Sequence, residues 1–185
     1  MTIVSSKRDR RILLVGFGQI DKSVFQTLGS ELPKTFPYKV IFAATLPIPA
    51  EAYYRRRHQY FSPIFIKKLK SVPHKPGDLI LGIVDVDLFV PGLNFVFGQA
   101  DPQSCAAIIS LTRLRPSFYG GKENSQLFAR RVLTEAVHEL GHTLGLPHCS
   151  NRRCVMYFSN SLMDTDIKGY KFCPQCQAKL KNRLK

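Results

Sequence analysis

Acidic residues are scarce in this chain: 13 Asp and Glu stand against 27 Lys and Arg, giving a formal net charge of +14. Long apolar runs are missing as well. A helix crossing a bilayer needs about 20 consecutive, mostly apolar residues, and no stretch here offers them, so no membrane role is expected. The segment Met1 to Arg11 is polar and basic and lacks the apolar centre of a secretory signal, which makes the cytoplasm the expected location. There is neither an internal repeat nor a low-complexity tract, which argues against a solenoid or a disordered array. Cysteine is limited to five residues. What remains, 185 residues with 44% hydrophobic content, is enough for one good core and does not suggest two.

The positive charge is spread in clusters: Arg55 to Arg57, Lys67 to Lys70, Arg152 with Arg153, and the tail Lys179 to Lys185. A solvated basic surface accounts for them. An acidic partner or substrate, nucleic acid included, is the alternative reading.

Chemistry concentrates in residues 138 to 156, H-E-L-G-H-T-L-G-L-P-H-C-S-N-R-R-C-V-M. His138 and His142 lie one helical turn apart and present two imidazoles on one face. Glu139 follows the first of them but is rotated away, so its carboxylate can serve a water on the metal without closing the metal's shell. Gly145 tolerates the positive φ that stops a helix, and Pro147 stiffens a segment that has already left it, letting His148 swing back as a third ligand. Three histidines on one ion argue for zinc. From the chain's own frequencies, the five fixed positions would arise by chance roughly once in a hundred thousand, so surface or capping histidines are a poor account.

This pattern resembles the metzincin clan of zinc-dependent peptidases, whose motif H-E-x-x-H-x-x-G-x-x-H is matched by His138, Glu139, His142, Gly145 and His148. Met156 fits the methionine that the clan places in a tight turn beneath its metal. Cys149 directly after the third histidine, Cys154 before the methionine, and the later pair Cys173 and Cys176 are similar to the archaemetzincins in particular. The similarity is dense from about Ser125 to Cys176 and only architectural before that. The spacer between Met156 and Cys173 is one residue shorter than in the family pattern, a difference that a loop tolerates.

The cysteines have a reading of their own. Cys149, Cys154, Cys173 and Cys176 come as two close pairs separated by a loop, the usual encoding of a closed four-thiolate zinc site, with disulfides as the competing account. Two zinc ions are therefore expected, one catalytic and one structural. Cys105, alone in the apolar run Cys105 to Leu111, reads as a small buried core residue.

Apolar runs predict strands at Ile12 to Gly16, Tyr38 to Leu46, Leu79 to Val84, Leu93 to Phe97 and Ala106 to Leu111. Helical spacing predicts a helix over Lys22 to Leu32, a second within Ala52 to Ser71 interrupted near Pro63, and a long one from Ser125 with the stripe Leu133, Val137, Leu140 and Leu144. The expected fold class is α/β, a mixed and mostly parallel five-stranded sheet with an antiparallel edge strand, covered by helices. One catalytic domain is expected over 1–185. Its upper part, 1–145, ends with the ligand helix, and a small C-terminal part, 146–185, holds the methionine turn and the structural zinc. The resemblance implies that the edge strand above the cleft receives extended substrate, and Leu93 to Gly98 is the candidate, against an ordinary edge strand.

Two weaker signals are set aside. Gly16-Phe17-Gly18 lacks the third glycine of a dinucleotide fingerprint, and Asp85 with Asp87 offers too few oxygens for calcium and suits a hydrogen-bonded turn better.

The expected activity is hydrolysis of peptide bonds, with Glu139 as general base and later as donor to the departing amine. Tyr157 is a candidate for holding the oxyanion, against a merely packed aromatic. Arg152 and Arg153 are candidates for favouring acidic substrate side chains. The alternatives are a non-proteolytic zinc-stabilised module that binds acidic protein or nucleic acid, and a zinc hydrolase of non-peptide amides; the intact Glu139 speaks against the first.

Overall fold

The structure is a computed structural model and describes residues 10–184. Most of the basic leader Met1 to Arg11, and the last residue of the basic tail, lie outside that range. Five strands form the main sheet in the order β2-β1-β5-β8-β7. These are β1 (Arg11–Phe17), β2 (Lys39–Leu46), β5 (Leu79–Val84), β7 (Gly98–Asp101) and β8 (Ala106–Ser110). All neighbours are parallel except β7, which runs antiparallel to β8 at the edge. Every residue of β5 and β8 is buried, as a continuous Ile, Leu, Val and Ala run requires when both faces are covered.

The two faces are sorted by the strand period of two. Ile12 and Leu14 of β1 join Leu81, Ile83 and Ile109 on one side. Leu13, Val15 and Phe17 join Ile80, Val84 and Ile108 on the other. Helices α1 (Lys22–Glu31) and α3 (Ser125–Thr143) cover the first face, and α2 (Ser62–Leu69) covers the second through Phe65, Ile66 and Leu69. Each fully buried Leu, Ile or Phe of this kind contributes about 1.5–3 kcal/mol.

Three local expectations are corrected. Pro63 does not interrupt a helix; it sits in the first turn of α2, where its missing N–H has no partner to lose. The stretch before it is a hairpin, β3 (Tyr53–Tyr54) with β4 (Gln59–Phe61), which pairs with β6 (Leu88–Phe89) in a small second sheet. The antiparallel edge strand is Gly98–Asp101 rather than Leu93–Phe97. After the turn at Gly92 (φ 85°), Arg57 and Gln59 donate to the carbonyls of Leu93 and Asn94, and Val96 bridges to Leu88 in the small sheet. The segment is thereby held away from β8 until Phe97, whose carbonyl accepts from the Ser110 N–H.

Cys105 is also not a core residue. It is half-buried, adopts a left-handed φ of 52°, and ends the short 3-10 turn Pro102–Ser104. Asp85 and Asp87 behave as expected of structural turn residues, binding Thr112 with Arg115, and Arg113 with Gln59. Among the described residues, no helix is long and apolar enough to cross a membrane.

Candidate active site

Helix α3 begins at Asn124, whose side chain accepts from the Leu127 N–H at 2.9 Å. It runs to Thr143 and stops where Gly145 takes φ 78°. The chain then turns beneath the helix. Leu146 donates its N–H to the Gly141 carbonyl at 3.0 Å, which brings His148 back toward the two histidines of the helix.

The three imidazoles converge on one point. His142 Nε2 lies 3.1 Å from His138 Nε2 and 3.2 Å from His148 Nε2. His138 Nδ1 is 2.6 Å from the Val155 carbonyl, and His142 Nδ1 is 2.7 Å from the Leu146 carbonyl. A carbonyl only accepts, so both Nδ1 atoms carry hydrogen and both Nε2 atoms present lone pairs. Bare lone pairs at this separation repel, and a cation between them removes the conflict. A tetrahedral zinc with Zn–N near 2.0–2.1 Å would space its nitrogens by about 3.4 Å, so the donor set fits the ion.

Electrostatics support the same protonation. Burial holds the His138 imidazole well below its ordinary value, with the charges of Lys168 and His142 adding. Burial brings His142 down to about 4 against the opposing pull of the Leu146 carbonyl, and burial with Lys168 lowers His148. Each shift favours the neutral imidazole that a metal requires.

Two glycines make room for what surrounds them. A Cβ on Gly141 would come within 2.5 Å of the Met156 sulfur, so the fully buried Met156 passes directly under the helix turn that carries the ligands. A Cβ on Gly98, the first residue of β7, would come within 2.6 Å of both Cγ and Oε1 of Glu139. Glu139 is thus seated against the bare backbone of the edge strand. Burial pushes its carboxyl up to about 8, with the charge of Glu135 adding and that of Lys168 opposing.

A cavity of about 170 Å³ opens beside His138 and Glu139, walled by Leu93 to Gly98 on one side and Phe158 to Asn160 on the other. The segment expected as the edge strand therefore forms the cleft wall without being a strand. The ring that packs against His148 belongs to Phe158, at 5.0 Å between centroids. Tyr157 contributes its carbonyl, which accepts from the Lys168 ammonium at 3.4 Å. Arg152 and Arg153 are exposed and are not part of the cavity wall; Arg152 reaches toward Asp164 at 3.7 Å. Glu135 and Lys168, which are among the residues lining the cavity, were not singled out from sequence. Glu135 was legible in principle, since it precedes His138 by one turn on the same helix face, whereas Lys168 on α4 (Leu162–Lys168) had no signal.

The four cysteines gather below. Their sulfurs lie within 4.8 Å of one another, with Cys149 and Cys173 at 3.9 Å, close to the edge of about 3.8 Å for a tetrahedron with Zn–S near 2.3 Å. All are free, and this separation is far beyond the roughly 2.05 Å of a disulfide. The Asn151 N–H reaches the Cys149 sulfur, and the Cys173 N–H reaches the Cys154 sulfur. Burial would raise Cys173, but the Cys176 N–H and the neighbouring sulfurs bring it down to about 7, while burial pushes Cys154 and Cys176 up. The sulfurs join the loop after His148 to helix α5 (Pro174–Arg183).

Known proteins resemble this chain over most of its length. The model of peptidase family M54 matches residues 41–182. The archaemetzincin of Methanocaldococcus jannaschii is 40% identical over 173 residues, covering 94% of each chain. That of Pyrococcus furiosus is 41% identical over 179 residues, covering 94% of this chain and 93% of its own. The crystal structure of archaemetzincin from Methanopyrus kandleri superposes with a TM-score of 0.86 at 34% identity, covering 98% of this chain and 99% of that one. The chain belongs to peptidase family M54, the archaemetzincins, and is a zinc metallopeptidase.

Proposed function

We propose that His138, His142 and His148 hold the catalytic zinc, that Glu139 is the general base, and that Cys149, Cys154, Cys173 and Cys176 hold a second, structural zinc. The observation that carries the reading is the convergence of three Nε2 atoms, with two Nδ1–H groups anchored on Val155 and Leu146, beside a carboxyl group seated against Gly98. Zinc bound at this site supplies a Lewis acid that polarises the scissile carbonyl and acidifies water.

The chain's own residues do the rest. The Glu139 carboxylate takes the proton from the attacking water and returns it to the departing amine nitrogen. Burial raises its affinity for a proton, which suits the accepting half of that transfer, and the charge of a bound zinc would keep the carboxylate ionised beforehand. The Val155 and Leu146 carbonyls fix the tautomer and the tilt of two ligands. Met156 keeps an apolar floor beneath them, and the cysteine cluster fixes the loop that delivers His148 and Met156. We read residues 1–185 as one catalytic domain whose parts, 1–145 and 146–185, meet at this site. Four gathered thiols without a disulfide support a reducing compartment, the cytoplasm. The exposed Arg152 and Arg153 support a preference for acidic side chains outside the cavity.

The test is a diverse peptide library digested by the wild type and by Glu139→Ala, both with zinc content verified, and read by mass spectrometry. New termini from the wild type only are expected. The same termini from both proteins would refute the role of Glu139.

A further inference from the structure

The tip of the hairpin formed by β3 and β4 carries consecutive cations, Arg55, Arg56 and Arg57, followed by His58. Overlapping turns close it: the Arg57 N–H donates to the Tyr54 carbonyl at 3.0 Å, and the His58 N–H to the Arg55 carbonyl at 3.3 Å. Such turns ordinarily use glycine, asparagine, aspartate or proline, each for its own backbone preference. None is present here, and His58 takes a left-handed φ of 51° that glycine adopts without strain. Its ring is held by Tyr53, whose hydroxyl lies 3.2 Å from Nδ1. Backbone strain retained where glycine would relieve it points to a use for the side chains at the tip.

The arginines are employed unequally. Arg57 lies over the Phe89 ring at 4.5 Å and donates to the carbonyls of Leu93 and Asn94 at 3.0 and 2.7 Å, which ties the hairpin to one wall of the catalytic cleft. Arg55 and Arg56 occupy the central positions of the first turn and are exposed, and among the described residues no carboxylate pairs with either. The acidic groups of the adjoining elements are already taken, Glu51 by Lys68 and Asp87 by Arg113.

From this placement we infer that the hairpin tip is a docking surface for an acidic segment of a polypeptide substrate, outside the cavity, with Arg55 and Arg56 as its anchors. The inference rests on the peptidase reading of the cleft. Glu139 is seated at Gly98, and Leu93 stands five residues before it, at most about 18 Å along an extended chain. The acidic segment is therefore expected about five or more residues from the scissile bond. Polypeptide suits the tip better than nucleic acid, because the neighbouring rings brace the turn instead of standing free as platforms for bases. Tyr53 leans on Tyr60 with 5.0 Å between centroids, and Tyr54 on Phe89 with 5.7 Å.

Two solvent-screened ion pairs contribute roughly twofold to thirtyfold in affinity. The experiment uses peptides that share one cleavable core and carry a short run of Glu, Gln or Lys about five residues from the bond, on each side in turn. KM is measured with zinc-loaded wild type, and binding with zinc-loaded Glu139→Gln. On one side of the bond, Glu is expected to bind at least about threefold more tightly than Gln in both assays, and the preference should vanish at about 1 M salt. Arg55→Gln with Arg56→Gln, made in each background, should bring the Glu-to-Gln ratio close to one. Arg55→Glu with Arg56→Glu should turn the preference toward Lys, a reversal that a merely structural role would not produce. Equal ranking of Glu and Gln, a Glu preference that survives both double substitutions, or displacement of the Glu peptide by a lower concentration of single-stranded RNA would overturn the docking surface. Binding of Glu peptides that depends on Arg55 and Arg56, without cleavage by wild type, would uphold the surface and defeat the peptidase reading, so the two failures are told apart.

Discussion

Gly98→Ala adds one methyl group at the edge strand and should disable catalysis while leaving both metal sites in place. The new Cβ would stand 2.6 Å from Glu139 Cγ and Oε1 and 2.8 Å from the Ile108 carbonyl oxygen. Ordinary contact begins at 3.4 Å, so Glu139 must retreat by about 0.8 Å or the strand must lift by as much. The strand cannot yield easily, because β7 is paired with β8, whose residues are all buried. Moving Glu139 relieves only its own clash; the one with the Ile108 carbonyl shifts the start of β7 as well, and both movements unseat the carboxylate. Misplacing a catalytic group by about 1 Å costs on the order of 100-fold in rate, and overpacking adds about 1–3 kcal/mol of destabilisation. The expected result is a kcat/KM near one hundredth of wild type on a cleaved peptide, with zinc content unchanged and a lowered Tm. Gly29→Ala is the control: nothing lies within 4 Å of its added Cβ on helix α1, so it should gain up to about 1 kcal/mol from helix propensity and keep full activity. Wild-type kinetics from Gly98→Ala would refute the seating of Glu139 on the bare strand.

The other predictions concern the metals and the surface. Cys173→Ser should empty the cysteine site and also loosen the catalytic zinc, because Val155, which anchors His138, is held by the Lys171 carbonyl two residues before Cys173; retention of two tightly bound zincs by elemental analysis would contradict this. The ligand imidazoles have folded-state proton affinities below the ordinary 6.5, with His142 at about 4. The zinc-free protein should therefore lose stability as pH falls from about 6.5 toward 4, at about 1.4 kcal/mol per pH unit for each histidine that titrates. Denaturant midpoints that stay constant across that window would exclude it. Reversing both charges, Arg152→Glu with Arg153→Glu, should slow turnover of acidic peptides more than neutral ones, and an equal effect on both classes would remove these residues from substrate choice.

The proposed ligand set was legible in sequence because local geometry dictates its clustering. The i, i+4 spacing of His138 and His142, the positive φ at Gly145, and the paired cysteines each follow from chain stereochemistry without reference to the rest of the fold. The buried strands β5 and β8 were legible for a similar reason, since runs made almost wholly of Ile, Leu, Val and Ala leave no polar face. The edge strand was misplaced by several residues because its bounds depend on donors from a distant hairpin, Arg57 and Gln59, which no local pattern announces. The need for glycine at positions 98 and 141 was hidden as well, since it arises only when Glu139 and Met156 are packed against them. Lys168 looked like one more cation on a basic chain, and only the tertiary structure buries it against Glu135. Sequence alone thus determined which residues are the candidates to bind metal and move a proton. The packing of elements far apart in the chain decided how tightly those residues are held and which buried ion pair lies beside them, because contacts between distant segments have no counterpart in sequence spacing.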